Sequence, residues 1–123
     1  APIMTTYIHN TDGTILYSSK NENGKLIFKN GNLIEWDMGI NEIKTYEYDT
    51  KNNPFKNILG YSELSGITFE GFKNNIIKET NKVNGFADES GKNIITYNSD
   101  GYPIEDHEYW NGNSNGTTKY YYE

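Results

Sequence analysis

An aromatic strand that ends in a short Asn/Asp/Gly turn recurs along this chain, and it constrains the fold more than any other feature. Tyr46-Glu47-Tyr48-Asp49-Thr50-Lys51-Asn52-Asn53-Pro54 and Ile95-Thr96-Tyr97-Asn98-Ser99-Asp100-Gly101-Tyr102-Pro103 share one spacing. In both, a Tyr is followed at once by Asp or Asn, and by Pro six residues on. Tyr7-Ile8-His9-Asn10-Thr11-Asp12-Gly13 is a third copy with His9 in the aromatic slot, and Asn21–Gly24 is a weaker fourth. Aromatic residues fit a pleated, half-buried surface. Asn, Asp and Gly accept the left-handed conformations of tight turns. Repeated strand–turn units therefore predict consecutive antiparallel hairpins.

Asn30-Gly31 is the sharpest local signal. It separates Leu26-Ile27-Phe28 from Leu33-Ile34-Glu35-Trp36. A two-residue type I′ turn needs positive φ twice, and Asn-Gly supplies it most readily. Segments 25–29 and 32–37 are thus expected to pair. Flanking residues alternate with period two. Tyr46 and Tyr48 share a face, as do Ile34, Trp36 and Met38, opposite Leu33, Glu35 and Asp37. Along 105–110, Glu105, His107 and Tyr109 oppose Asp106, Glu108 and Trp110. Neither face there is apolar, which predicts either an edge strand or one lying outside the core, and charge on an edge blocks sheet-to-sheet aggregation.

Further strands are expected over 75–80, 93–98 and 117–122. Loops are expected over 84–91 and 110–116. The rhythm breaks over 54–72, where Phe55, Ile58 and Leu59 have helical spacing but Gly60, Gly66 and Gly71 interrupt. This segment reads as a long irregular connection with one helical turn. The expected fold is all-β: an antiparallel up-and-down meander of about eight strands in a curved or barrel-like sheet.

Length suits a single domain over residues 1–123. The final Tyr120-Tyr121-Tyr122 reads as the middle of a strand, which suggests a piece of a longer protein. Only 34% of residues are hydrophobic, while 11 are Tyr. A Tyr ring covers area while its hydroxyl stays wet, so a thin sheet with a solvated face fits. The 18 Asn, with no Arg or Gln, fit the codon bias of an AT-rich genome, but that bias does not place Asn beside Gly between strands. The net charge of −6 and the absence of Arg argue against nucleic acid and anionic membranes, which need a basic footprint. With no Cys, thiolate metal sites, Cys nucleophiles and disulfides are excluded. No apolar run reaches the roughly 18 residues of a membrane helix.

The Tyr-x-Tyr-Asp turns resemble the tyrosine–aspartate repeats of Rhs and teneurin shells. A closer resemblance is to exported Bacteroidetes lipoproteins of unknown function with a porin-like, sheet-rich fold. Tyr46 through Phe55 matches their Tyr-x-Tyr-Asp-x-Lys-x-Asn-Pro-Phe. Asn74–Lys78 matches their Asn-Asn-(Ile/Leu)-Ile-Lys, and Tyr97–Pro103 matches their Tyr-Asn-x-Asp-Gly-Tyr-Pro. The likeness covers about residues 24–123. It implies a cell-envelope or secreted location, as an outer-membrane lipoprotein attached through a lipidated Cys upstream of this sequence. It carries over no catalytic residue.

Candidate chemistry is sparse. His9 and His107 are the only histidines, and a His needs partners to act as base or ligand. His9 reads as a turn-flanking residue, and His107, among Glu105, Asp106 and Glu108, as part of a solvated edge. Asn111-Gly112-Asn113-Ser114-Asn115-Gly116 imitates the start of a calcium loop, but Tyr122 stands at the twelfth position and no donor is charged. Asn115-Gly116-Thr117 fits a glycosylation sequon, a match common by chance. Glycosidases need two acids facing across a sugar. Glu35 and Asp37 share a face, yet nothing in the sequence sets a cleft between them. No catalytic residue, metal ligand set or cofactor motif is identified. Exposed aromatics mark binding surfaces, so the candidate ligand-binding residues are Tyr102, His107, Tyr109 and Trp110. The expected function is a non-enzymatic module binding a protein or glycan at the cell surface. The alternatives are a structural subunit pairing through sheet edges and, third, a small glycan-active enzyme.

Overall fold

The computed structural model describes residues 4–39, 41–55 and 73–122. Nine strands form one antiparallel sheet in chain order: β1 (Thr6–His9), β2 (Thr14–Ser18), β3 (Asn23–Lys29), β4 (Asn32–Asp37), β5 (Glu42–Tyr48), β6 (Ile76–Val83), β7 (Glu89–Tyr97), β8 (Pro103–Trp110) and β9 (Asn113–Lys119). This is the expected all-β meander, with one strand more than predicted. The addition is β2, an apolar run between the Asp12-Gly13 and Asn21–Gly24 turns. Each strand pairs with its chain neighbours, and among the described residues nothing joins β9 back to β1. The sheet is open rather than barrel-like. The helical turn expected near Ile58 lies outside the described residues.

Residues directly opposite across a ladder share a face. Following the register from β1 to β9 therefore defines two faces. The inner face carries Ile15, Tyr17, Leu26, Trp36, Tyr46, Glu79, Gly91 and Trp110. Here Leu26 and Leu33 are 0% exposed and Tyr17 is buried, with Ile15, Phe28, Trp36 and Tyr46 packed around them. The Trp36 Nε1–H donates to the Tyr17 hydroxyl at 2.9 Å, which donates to Glu22 Oε1 at 2.9 Å. A half-buried indole N–H thus has its partner.

The register slips by one residue at the same end of three ladders. Ile27 faces Glu35 while Phe28 faces Leu33, leaving Ile34 extra. Glu47 and Tyr48 face Lys78 and Ile76, leaving Ile77 extra. Thr96 and Tyr97 face Glu105 and Pro103, leaving Ile104 extra. Each slip is a β-bulge, which bends its strand and raises the local twist. Recurring on every second strand, the bulges curve the sheet. They also correct the strict alternation expected in β4, because the extra Ile34 puts Leu33 on the same face as Trp36, in the core.

Asn30 (φ 52) and Gly31 (φ 81) form the expected two-residue turn. Asn111 (φ 49) and Gly112 (φ 82) repeat the same geometry. The predicted loop over 110–116 is therefore a tight hairpin turn, and the last strand is Asn113–Lys119 rather than 117–122. The predicted loop over 84–91 is also shorter, because β7 starts at Glu89 and Gly91 already pairs with both Glu79 and Trp110.

Candidate binding surface

The three sequence motifs converge at one end of the sheet. Asp49, just past β5, accepts from the Asn75 N–H at 3.1 Å, from Asn75 Nδ2, from the Lys51 N–H at 3.0 Å and from the Tyr97 hydroxyl. Asn75 Nδ2 also donates to the Asn52 carbonyl at 2.9 Å. Asn52 Nδ2 reaches the Asp100 carbonyl in the β7–β8 turn at 3.0 Å. Asn32, at the start of β4, accepts from the Lys73 and Asn74 N–H groups at 3.1 Å each. Asn32, Asn53 and Asn75 are buried. Burial of such groups is tolerated only when they are bonded; this network bonds Asn32 and Asn75, and Asn53 Oδ1 accepts from the Phe55 N–H at 2.8 Å. Burial, and then the Asp49 contact, push the Tyr97 phenol well above its ordinary range. The motifs thus form a brace that ties β4, β5, β6 and the β7–β8 turn together. Their polar atoms are engaged with one another.

The inner face changes character beyond β5. Glu79, Asn81, Asn93, Asp106 and Glu108 replace the apolar cluster. Burial raises the carboxyls of Glu79 and Asp106, and Glu108 pushes both further. Lys44 opposes the shift at Glu79, and the Asn93 amide, 3.0 Å from Asp106 Oδ2, opposes it at Asp106. The Trp110 ring lies across the β7 backbone. A Cβ at Gly91 would come 2.7 Å from its Cζ3. One ring face of Trp110 therefore packs within the sheet.

On β6 and β7 the outer face is the more exposed side. Ile94 is 47% exposed although β8 and β9 separate it from the sheet edge. It stands opposite His107, and Lys92 stands opposite Tyr109. Shallow grooves of about 520 Å³ and about 380 Å³ meet at Ser90, Lys92 and Ile94. The second groove is walled by Tyr109. His107 is held from both sides, by Glu105 at Nε2 and by the Thr117 hydroxyl 2.9 Å from Nδ1. An aliphatic centre ringed by polar tips is the composition of a recognition patch.

Of the four candidate ligand-binding residues, His107 and Tyr109 lie together on this outer patch. Trp110 is on the opposite face, as the alternation of β8 predicts. Tyr102 lies near the start of β8, with its ring 5.6 Å from that of Tyr122. Lys92, Ile94 and Thr117 complete the patch and were not singled out from the sequence. Ile94 and His107 are brought together by register between β7 and β8, which local sequence does not display. Among the described residues no group of three or more His, Asp and Glu is arranged to hold a metal, and no helix is long and apolar enough to cross a membrane. Comparison with protein-family models, curated proteins and solved structures finds no match.

Proposed function

We propose that this chain is a non-enzymatic binding module of the bacterial cell envelope, engaging a protein or glycan partner through the outer face of β7–β9. The observation that carries the reading is Ile94, exposed in the interior of the sheet and flanked by His107, Tyr109 and Lys92. The envelope location rests on the resemblance of the three motifs to exported lipoproteins. Glu105, His107 and Thr117 line up as acid, imidazole and hydroxyl, an order that acyl-transfer enzymes use. Here the imidazole is 42% exposed, and such chemistry depends on preorganised dipoles in a water-excluded site. The line-up therefore favours orientation of polar contacts over catalysis.

The test is intrinsic fluorescence against a panel of glycans and peptides, with wild type and Ile94→Asp side by side. A ligand that shifts wild-type emission and is lost in Ile94→Asp, with the fold intact by circular dichroism, supports the reading. Silence across the panel counts against it. A second reading, a subunit pairing through its sheet edge, is favoured by β9, exposed along its whole length. A single monomeric species at all concentrations, with no partner co-purifying, would sink it.

A further inference from the structure

The outer patch contains a cross-strand pair that sheets ordinarily avoid. Lys78 in β6 stands directly opposite Lys92 in β7. Directly opposed side chains have Cβ atoms about 4.5–5.5 Å apart, and like charges there are destabilising. Glu47 lies on the far side of Lys78, with its carboxylate 3.5 Å from Lys78 Nζ. Among the described residues no carboxylate pairs with Lys92. The register thus runs Glu47, Lys78, Lys92, Tyr109 straight across four strands. Lys82 and Lys119 stand on the same face.

Charge is segregated between the faces. In β6–β8 four of the five strand carboxylates, Glu79, Glu89, Asp106 and Glu108, lie on the inner face, whereas the outer face holds Lys78, Lys82 and Lys92 with one acid, Glu105. A chain of net charge −6 therefore presents a local cationic strip. The strip runs through the groove of about 520 Å³, which both Lys78 and Lys92 line.

We infer that this groove binds an acidic glycan, with a sugar carboxylate seated between Lys78 and Lys92 and the ring laid against Ile94 and Tyr109. The inference rests on the binding-module reading and deepens it by naming the ligand class. Three features select an acidic sugar over other polyanions. An ammonium is a point charge that suits a single carboxylate, and the chain has no Arg to clamp phosphate in a fork. The cationic strip is short and flanked by Glu47 and Glu105, too small a footprint for a nucleic-acid backbone. Ser90, Thr80 and Thr96 line the same face with hydroxyls, matching the hydroxyls of a pyranose rather than the side chains of an acidic peptide.

The experiment is calorimetric titration with oligogalacturonate, a neutral glucose oligomer, polyglutamate and single-stranded DNA. Wild type, Lys92→Gln, Lys78→Gln and Lys92→Arg are compared. Oligogalacturonate is expected to bind wild type, more weakly as salt rises. Either Gln variant should lose about tenfold in affinity, the scale of one charged hydrogen bond, while Lys92→Arg stays closer to wild type. Lys92→Gln removes the like-charge contact and leaves the Lys78–Glu47 pair in place, so its melting should match or exceed wild type, whereas Lys78→Gln also loses that exposed pair, whose contribution is small, and stays folded. Equal binding of the neutral oligomer, or wild-type affinity in both Gln variants, overturns the acidic-glycan inference while leaving the module reading standing. Preference for polyglutamate or DNA also overturns it. No binding by any probe, together with silence in the fluorescence panel, overturns both.

Discussion

The two halves of the inner face solve the same problem differently. Over β1–β5 it carries Tyr17, Leu26 and Leu33, and apolar burial holds the strands together. Over β6–β9 the same face carries Glu79, Asn93, Asp106 and Glu108 among Ile95, Trp110 and the fully buried Pro103, and polar pairing joins apolar contact. Both halves use one device, an aromatic ring laid over a strand glycine. A Cβ at Gly24 would overlap the Tyr17 ring, as one at Gly91 would meet Trp110. The contrast teaches that register alone does not make a core. The first half anchors the sheet, the brace around Asp49 transmits that anchorage, and the second half is left to present its outer face.

The largest effects should separate the halves. Leu33→Ala or Leu26→Ala removes a fully buried side chain and should cost about 2–5 kcal/mol in urea unfolding. Ile95→Ala, half-buried in β7, should cost visibly less. Equal losses would erase the distinction. Next comes the brace. Asp49→Ala leaves the Tyr97 hydroxyl and the Asn75 backbone N–H without their acceptor, at about 1–3 kcal/mol for each group left unsatisfied. It should also broaden unfolding as the halves uncouple, visible as fluorescence and circular dichroism transitions that no longer coincide.

Gly91→Ala is expected to cost about 1–3 kcal/mol by overpacking against Trp110. In a Trp110→Ala background the same change should cost little, because the clash is gone. A double-mutant cycle measures that coupling, and a null coupling would remove Trp110 from the packing of β7. The smallest effect is electrostatic. Burial raises the Glu79 carboxyl from its ordinary 4.5, so the native state holds this proton longer than the unfolded chain does. Its stabilising contribution is complete below the unfolded value and is lost as pH rises through the folded one. Glu79→Gln should therefore be more stable than wild type at neutral pH, with the gap closing in acid. A gap that widens in acid would reverse the assignment.

Much of the fold was legible because turn chemistry is local. Asn30-Gly31 placed the β3–β4 hairpin, and the alternation of Tyr46 with Tyr48 and of His107 with Tyr109 placed their faces. Asn111-Gly112 obeyed the same rule but was obscured by the surrounding Asn and Gly. The bulges at Ile34, Ile77 and Ile104 were not legible, since an extra residue exists only relative to a partner strand. The brace joins residues up to 48 apart, Asn52 to Asp100 and Asp49 to Tyr97. The sequence showed those motifs as repeats without showing that they bond to one another. Of the recognition patch, His107 and Tyr109 were visible as candidates. Ile94 and the Lys78–Lys92 pair emerged only from the registers of β6, β7 and β8.

Residue-resolved hydrogen exchange under native conditions tests most directly whether the sheet is held from its first half. Ladder-bonded amides of β3 and β4 around Leu26 and Leu33 should exchange only through global unfolding. Those of β8 and β9 around Asp106 and Thr118 should exchange through smaller openings of lower free energy. Protection in β8–β9 equal to that in β3–β4 would contradict an anchored first half and make the sheet one uniform cooperative unit.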